Sequence, residues 1–418
     1  MGTKPKAGYR SRVVTSGRHV RLRAAIMAGA LARAIYRVSR RRGDGVHARG
    51  LAMMTVDPHA IERLSRGRSS ALVTGTNGKT TTTYLLAAAL GDHVAHNYTG
   101  ANMATGIVTA YAESDAPLAA IEVDELHFPS IARMITPRVI VLLNLSRDQL
   151  SRSHEVARVV TLWSEALASD GATIVANCAD PNVVAATPPE RAVWFDPGTR
   201  WTDDAQVCPR CAGLIDWTVD SWSCGCGFTM PRPTYRRDGV VLTGPAGDQH
   251  DLQLRLPGEF NGGNAVAAIA AASVMGIDID TALGRMGSLD SAFGRYMSYD
   301  VGGRPARLVL AKNPVGMRAA LELTGNAQVI VGIGAEGVDG RDTSWLYDAP
   351  FDMLAGRLVG AVGRRRHDLA LRLEIAGAHP LVGEDIHDVA RQLPAGELYL
   401  IGNYSNFVLW RRERAWQA

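Results

Sequence analysis

The feature that most constrains this chain is the run Ala71-Leu-Val-Thr-Gly75-Thr-Asn-Gly78-Lys79-Thr80-Thr81-Thr82. A β-prone segment stops at glycine, and a lysine and hydroxyl side chains then open an apolar helix, Thr83 to Leu90. Glycines let backbone N–H groups turn toward an anion, and the helix N-terminus adds partial positive charge. In such a loop Lys79 reaches the β/γ-phosphates and Thr80 sets its hydroxyl on Mg²⁺. The longer form of the motif needs a glycine at position 73, which here is Val73, so the loop is the short form. Its candidate nucleotide-binding residues are Gly75, Thr76, Asn77, Gly78, Lys79, Thr80 and Thr81.

Lysine usage sharpens this reading. The chain has four lysines against forty-one arginines: Lys4, Lys6, Lys79 and Lys312. An ammonium and a planar guanidinium are not interchangeable at a tight phosphate site. Lys79 is therefore read as chemical, and Lys312 earns the same attention.

At 418 residues, with 46% hydrophobic and 21% charged, the chain has globular composition and room for two or three domains. The net charge of +4 hides an asymmetry: residues 1–42 hold twelve Lys/Arg and no acid, leaving 33 basic against 41 acidic residues, or −8. An acidic body argues against nucleic acid as its partner, since phosphates need a basic face. No apolar run approaches the ~18–20 residues that span a bilayer. Ala24 to Ala32 has the length of a signal-peptide core, but a nucleotide loop and metal-spaced cysteines argue for a cytoplasmic protein. Residues 18–41 form a basic helix with Leu22, Ile26, Ala30 and Ile35 on one side. Two readings stay open for it: contact with an anionic membrane surface or lipid-linked substrate at the inner face of the membrane, or a solvated or packed N-terminal helix.

From Ala71 to about Ala292, apolar β-rich runs (Ala71–Thr74, Ala119–Val123, Val139–Asn144, Thr173–Asn177) alternate with helical stretches at 83–90, 126–134 and 155–169. This predicts an α/β fold with a parallel sheet and ligands at the C-terminal ends of its strands. A segment rich in Trp, Pro, Gly and Cys, about 196–238, interrupts the pattern, which resumes with a helix from Asn264 to Met275. A second block follows, with strands at Arg307–Leu310, Gln328–Ile333, Arg357–Val362 and Glu397–Ile401. The expected division is a basic tail and helix (1–45), an ATP-binding domain (46–293) and a C-terminal Rossmann-like α/β domain (294–418).

Cys208-Pro-Arg-Cys211, twelve residues, then Cys224-Gly-Cys226-Gly reads as a four-thiolate structural zinc site in an inserted ribbon at about 203–230. Ile121-Glu122-Val-Asp124-Glu125 ends a strand and sets carboxylates at the ligand edge, where Mg²⁺ prefers oxygen; Glu122 is the first choice. Asn144-Leu-Ser-Arg-Asp148 and His154 follow the next strand, and Phe260-Asn261-Gly-Gly-Asn264 precedes a helix, with amides suited to an adenine edge.

Taken in order, these motifs resemble the Mur ligase superfamily: T-G-T-N-G-K-T-T, a post-strand Glu, N-L-x-x-D, N-x-x-D (Asn177 to Asp180) and F-N-x-x-N. Within it the resemblance is to the MurT branch, the ligase-like subunits of lipid II isoglutaminyl synthase. The cysteine insertion, Ala292-Phe-Gly-Arg295, Leu310-Ala-Lys312-Asn313-Pro314, Asp339-Gly-Arg-Asp342-Thr-Ser-Trp345 and Asn403-Tyr404 carry it. The resemblance implies that ATP phosphorylates the α-carboxylate of the D-glutamyl residue of the lipid II stem peptide, and that ammonia converts the acyl phosphate to D-isoglutamine. Lys79, Thr80 with Mg²⁺, Glu122 and Arg295 would position and neutralise the phosphoryl group. Asn261 and Asn264 match nucleotide-binding asparagines.

The resemblance also implies a GatD glutaminase as heterodimeric partner. Four cysteines are committed to the metal site and Cys178 lies in a nucleotide-site segment, so the chain lacks its own thiolate for glutamine hydrolysis. Asp342, with Asp339 as alternate, would orient the partner's catalytic histidine. Two alternatives are an amino-acid-adding Mur or folylpolyglutamate-type ligase and a noncatalytic ATP-binding scaffold. Residues 80–311 contain no lysine, so the carbamylated lysine of amino-acid-adding Mur ligases has no counterpart there. Gln149 stands where many such ligases carry histidine, and Met297 where related chains carry glutamate.

Overall fold

Short apolar segments with period-two alternation build the first sheet. A computed structural model describes residues 9–40, 45–148, 156–169, 171–289, 298–336 and 338–417. Gln149, His154, Arg295, Met297 and the expected boundary near 294 lie outside the described residues. Strands β1 (Ser69–Thr74), β2 (Val94–His96), β3 (Leu118–Glu122), β4 (Val139–Leu142), β5 (Thr173–Asn177) and β6 (Ala192–Asp196) run parallel. A two-stranded ribbon, β7 (Ile215–Trp217) and β8 (Trp222–Cys224), precedes β9 (Tyr235–Asp238), β10 (Val241–Thr243) and β11 (Gln249–Asp251). The sheet order is β11-β10-β9-β6-β5-β4-β1-β3-β2.

The expected parallel sheet is present, and it is longer than expected, with an antiparallel edge. β9 leaves the cysteine-rich segment to join the sheet parallel to β6, and β10 and β11 extend it antiparallel. These strands are three or four residues long and read as irregular because no helical period separates them.

Alternation sends Leu72, Ile121, Ile140 and Ile174 to one face, under α1 (Tyr9–Arg40), α2 (Val46–Val56), α3 (Ala60–Ser65), and, past α4 (Lys79–Leu90), α5 (Ala104–Glu113), α6 (Phe128–Ile135), α7 (Val156–Ala168) and α8 (Pro181–Ala186). Ala71, Val73, Val139, Val141 and Val175 face the other side, under α4, α9 (Glu259–Val274) and α10 (Ile279–Met286). Residues Ala265 to Ala272 of α9 are all buried, six of the eight being alanine, which lets the helix pack closely against both the sheet and its neighbour α4 on the same face.

α9 starts five residues before the expected Asn264, so Phe260-Asn261-Gly-Gly-Asn264 lies inside its first turns. The glycine pair suggests a loop but serves close packing: a Cβ at Gly262 would lie 2.3 Å from Arg237 Nε, and one at Gly263 2.7 Å from Pro197 Cβ.

A second sheet, order β12-β13-β17-β14-β15-β16, comprises β12 (Ser298–Asp300), β13 (Pro305–Leu310), β14 (Gln328–Gly332), β15 (Leu358–Val362), β16 (His379–Val382) and β17 (Leu398–Gly402). All its pairings but β12–β13 are parallel. It is flanked by α11 (Pro314–Thr324), α12 (Val338–Arg341), α13 (Arg366–Ile375), α14 (Ile386–Gln392) and α15 (Tyr404–Gln417), the doubly wound layering expected of a Rossmann-like unit.

α1 spans more than the expected 18–41, and its faces divide differently. Leu22 and Ile26 pack on the core, but Ile35 and Ala30 are exposed. Thirteen residues at about 100° each put Ile35 roughly 140° from Leu22, so the four named residues never shared a side. Among the described residues no helix is long and apolar enough to cross a membrane.

Candidate active site and metal centre

β1 lies between β3 and β4, where successive connections leave in opposite directions, and the chain ends of these strands open a crevice. Gly75 and Gly78 occupy positive φ of 143° and 84°, and Gly78 caps α4. A Cβ on Gly78 would approach Asn264 Oδ1 to 2.3 Å, so the left-handed backbone and the close asparagine both require glycine. The loop is braced from β4: Asn144 Oδ1 accepts from Asn77 N–H at 2.9 Å, and Thr76 Oγ1 donates to Ser146 O at 3.2 Å.

Lys79 is buried and folds back on its loop, donating to Gly75 O, to Thr76 O at 3.2 Å and to Glu125 Oε2 at 3.0 Å. Thr80 Oγ1 donates to Glu122 Oε2 at 2.8 Å, and Asn102 Nδ2 to Glu122 Oε1 at 3.0 Å. Asn97 clasps the Glu122 backbone from both sides, accepting from its N–H and donating to its C=O, each at 2.8 Å. The structure thus brings Lys79, Thr80 and Glu122 together at one edge. A hydroxyl beside a carboxylate is an oxygen-rich pair of the kind a hard divalent cation takes. Sequence reading did not single out Asn97, which lies one strand away, or Glu125 as the lysine's partner.

The second sheet closes over this edge. Asn313 Nδ2 donates to Asn77 Oδ1 at 3.1 Å, Lys312 Nζ contacts the Asp148 carboxylate, and Arg147 Nη1 reaches Asp348 Oδ2 at 3.1 Å. Between the two units lies a cavity of about 490 Å³ lined by Gly78, Asn144, Phe195, Trp201, Asn264 and Arg318, among others. Arg318 lies over the Trp201 ring, 5.4 Å from its centroid. Asn264 faces this cavity; Asn261 is wholly buried behind it, donating to Pro257 O at 2.6 Å and accepting from Asn264 Nδ2 at 3.2 Å. Trp201 and Arg318 carry no motif that marks them, since they come from a loop and a helix separated by more than a hundred residues.

Asp180 caps α8 and also accepts from Leu145 N–H at 2.7 Å, tying the β4 and β5 exits together; desolvation pushes its carboxyl up to about 6 despite these donors. Asp342 follows α12 at the ligand edge of β14 and is half-buried. Ser344, through its hydroxyl and its backbone N–H at 3.0 Å, holds the Asp342 carboxyl below the usual range. Asn403 fixes the same exit, accepting from Gly334 N–H at 3.0 Å and donating to Gly334 O at 3.2 Å.

Cys208, Cys211, Cys224 and Cys226 converge, every sulfur within 4.8 Å of the others. Cys208–Cys226 is 3.9 Å and Cys211–Cys224 is 3.5 Å. A tetrahedron with metal–sulfur bonds of about 2.3 Å has sulfur–sulfur edges of roughly 3.8 Å. The thiols are therefore gathered closely enough for a tetrahedral ion. Ala212 and Gly227, just after each pair, take positive φ of 58° and 86° and make the two turns. The Phe228 backbone, with the Cys211 thiol, holds the Cys226 thiol down to about 7, so a thiolate is at hand near neutrality. Cys178 is different: burial pushes its thiol up, and its carbonyl accepts from Trp222 Nε1 at 3.0 Å. It is buried and anchors the ribbon.

Residues 73–195 match the family model of the Mur ligase middle domain, and residues 310–407 that of the MurT ligase C-terminal domain. The chain is 29% identical, over 84% of its length, to the lipid II isoglutaminyl synthase (glutamine-hydrolyzing) subunit MurT of Staphylococcus aureus, of which it covers 87%. The protein of that name from Streptococcus pneumoniae is 29% identical, with 81% and 83% of the two chains covered. Among solved structures, the pseudomurein peptide ligase type C from Methanothermus fervidus superposes with a TM-score of 0.68 at 19% identity, over 84% of this chain and 79% of that one. At that identity the likeness establishes the fold.

Proposed function

Because this chain belongs to the Mur ligase superfamily, with a MurT-type C-terminal segment, we propose that it is the ligase subunit of an enzyme that amidates lipid II in peptidoglycan synthesis. The observation that carries this is the convergence of Lys79, Thr80 and Glu122 on one edge of the sheet, in a chain with no lysine between residues 80 and 311. The site can hold a polyphosphate and a cation, but it cannot use the carbamylated lysine of amino-acid-adding ligases.

ATP binds with its phosphates on the Gly75–Thr81 loop and its base in the cavity between the sheets, beside Asn264 and against Trp201 and Arg318. Arg295 is retained as a phosphate contact on the family resemblance. Lys79 exchanges the carbonyls of its own loop for phosphate oxygens. Thr80 and Glu122 would hold Mg²⁺, which would supply charge neutralisation on the phosphates. An oxygen of the D-glutamyl α-carboxylate then attacks the γ-phosphorus and ADP leaves. The lone pair of ammonia adds to the carbonyl carbon of the acyl phosphate, inorganic phosphate departs, and a proton is lost to give the amide. Such transfer needs positioning and charge neutralisation and no protein nucleophile.

The nitrogen comes from a GatD-type glutaminase bound as a heterodimer. Cys178 is buried and the other cysteines are clustered, so this chain supplies no glutaminase thiolate. Asp342, half-buried and with its carboxyl held below the usual range by Ser344, would orient the partner's histidine, with Asp339 as the alternate. The four cysteines would hold a structural Zn²⁺, since four protein thiolates leave no open position. Purified chain with the glutaminase, lipid II, Mg-ATP and glutamine should yield amidated lipid II and ADP together. Ligation of an amino acid to the acceptor by the chain alone would overturn the reading.

A further inference from the structure

α1 is packed on one side only. Ala25 and Gly29 are buried, and Leu22 and Ile26 pack against the core. A Cβ at Gly29 would lie 2.5 Å from Met53 Cγ, so α1 and α2 touch nearly backbone to backbone. Arg33 pairs with Glu113, and Arg21 Nε donates to Val56 O at 2.8 Å, fixing the helix about its axis. The opposite side carries Val20, Met27, Leu31, Ile35 and Val38, each between 58% and 81% exposed, with Ala24 and Ala34 among them. At about 100° per residue these seven fall within roughly a 100° sector, a continuous stripe about 27 Å long. Exposed Arg21, Arg23 and Arg37 flank it, and residues 1–43 contain no acid.

We propose that this stripe is a membrane-docking face that lays α1 in the surface of an anionic bilayer, its aliphatic side chains among the acyl chains and its arginines at the lipid phosphates. Three features select a bilayer over a protein. The stripe is aliphatic throughout, with no aromatic anchor of the kind that dominates protein interfaces. It carries no hydrogen-bonding side chain that would fix a register. Its flanks are basic on both sides, so a second copy of the chain would meet it with like charge, whereas an anionic lipid surface complements it. Docking here presents the body to a membrane while the packed face stays on the protein. The inference deepens the proposed function by placing the lipid-linked acceptor's membrane against a named surface, and rests on that reading only for the acceptor.

The test uses the full complex with its glutaminase, co-sedimented with phosphatidylglycerol vesicles and, separately, phosphatidylcholine vesicles, neither containing lipid II. The wild type should bind the first and not the second, with binding that weakens as salt is raised. Met27→Glu with Leu31→Glu should reduce binding about tenfold or more, and Arg23→Gln with Arg37→Gln severalfold. Both pairs substitute good helix formers on an exposed face, and both should still amidate a short-chain, water-soluble lipid II analogue. That activity reports on the proposed function separately from docking. Equal binding by the Met27→Glu, Leu31→Glu protein, equal binding to both vesicle types, or loss of the glutaminase from that variant would overturn the inference, the last by making the stripe a protein interface.

Discussion

At the scale of single residues, the site depends on groups whose substitutes are chemically close but geometrically wrong. Lys79→Met and Glu122→Gln should each lower amidation by about a hundredfold to a thousandfold, the usual cost of losing one charge-stabilising contact in phosphoryl transfer. Steady-state assays on complexes that retain wild-type melting temperatures would measure it. Gly78→Ala meets both a positive φ and the Asn264 amide 2.3 Å away, so it should destabilise the fold by about 1–2 kcal/mol and abolish nucleotide binding. Asp342→Asn should separate the two half-reactions. Glutamine-dependent amidation falls by at least about a hundredfold, while amidation from added ammonium salt is kept. Because Ser344 depresses the folded Asp342 pKa, its contribution is present above the ordinary aspartate value and is lost as pH falls through the lowered one. The acid limb of the glutamine-dependent pH profile should therefore not be set by Asp342 near its ordinary pKa. A limb there that vanished in Asp342→Asn would contradict this.

At the scale of elements, the cysteine ribbon is the most separable part. It is tied to the body by Trp222 Nε1 on Cys178 O and by the buried rings of Trp222 and Phe228, 4.8 Å apart. Removing the metal with a chelator should release one ion per chain, change tryptophan fluorescence and lower the melting temperature, all reversed by added Zn²⁺. Cys224→Ser should behave as the chelated protein does. α9 fails differently: Ala268→Leu forces bulk into the packed core around this fully buried helix and should cost about 1–3 kcal/mol in denaturant melts. These two elements also mark what the sequence makes legible. The strand–loop–helix at Ser69–Leu90 and the four-thiolate cluster are local patterns, and their geometry follows from residues close in the chain. The start of α9 was hidden because Gly262 and Gly263 look like a loop until Arg237 and Pro197 are seen against them. The faces of α1 were misassigned because four spaced apolar residues imply a stripe only when their angular positions agree.

At the scale of the molecule, the candidate cleft lies where two α/β units meet, and this was the least legible level. Asn313 on Asn77 and Lys312 on Asp148 join segments more than 160 residues apart, and no local pattern announces such a pairing. Trp201 and Arg318, which wall the cavity from opposite units, were missed for the same reason. The account's central claim is that this chain activates a carboxylate but does not furnish the nitrogen. The most direct measurement supplies the complex with lipid II, Mg-ATP and glutamine carrying an isotope label in its side-chain amide, then reads lipid II by mass spectrometry and ADP by chromatography. The account predicts one labelled nitrogen in the D-glutamyl α-amide for each ADP formed, and no labelled product when the glutaminase is left out. Label incorporation by this chain alone, or amide formation without matching ADP, would contradict it.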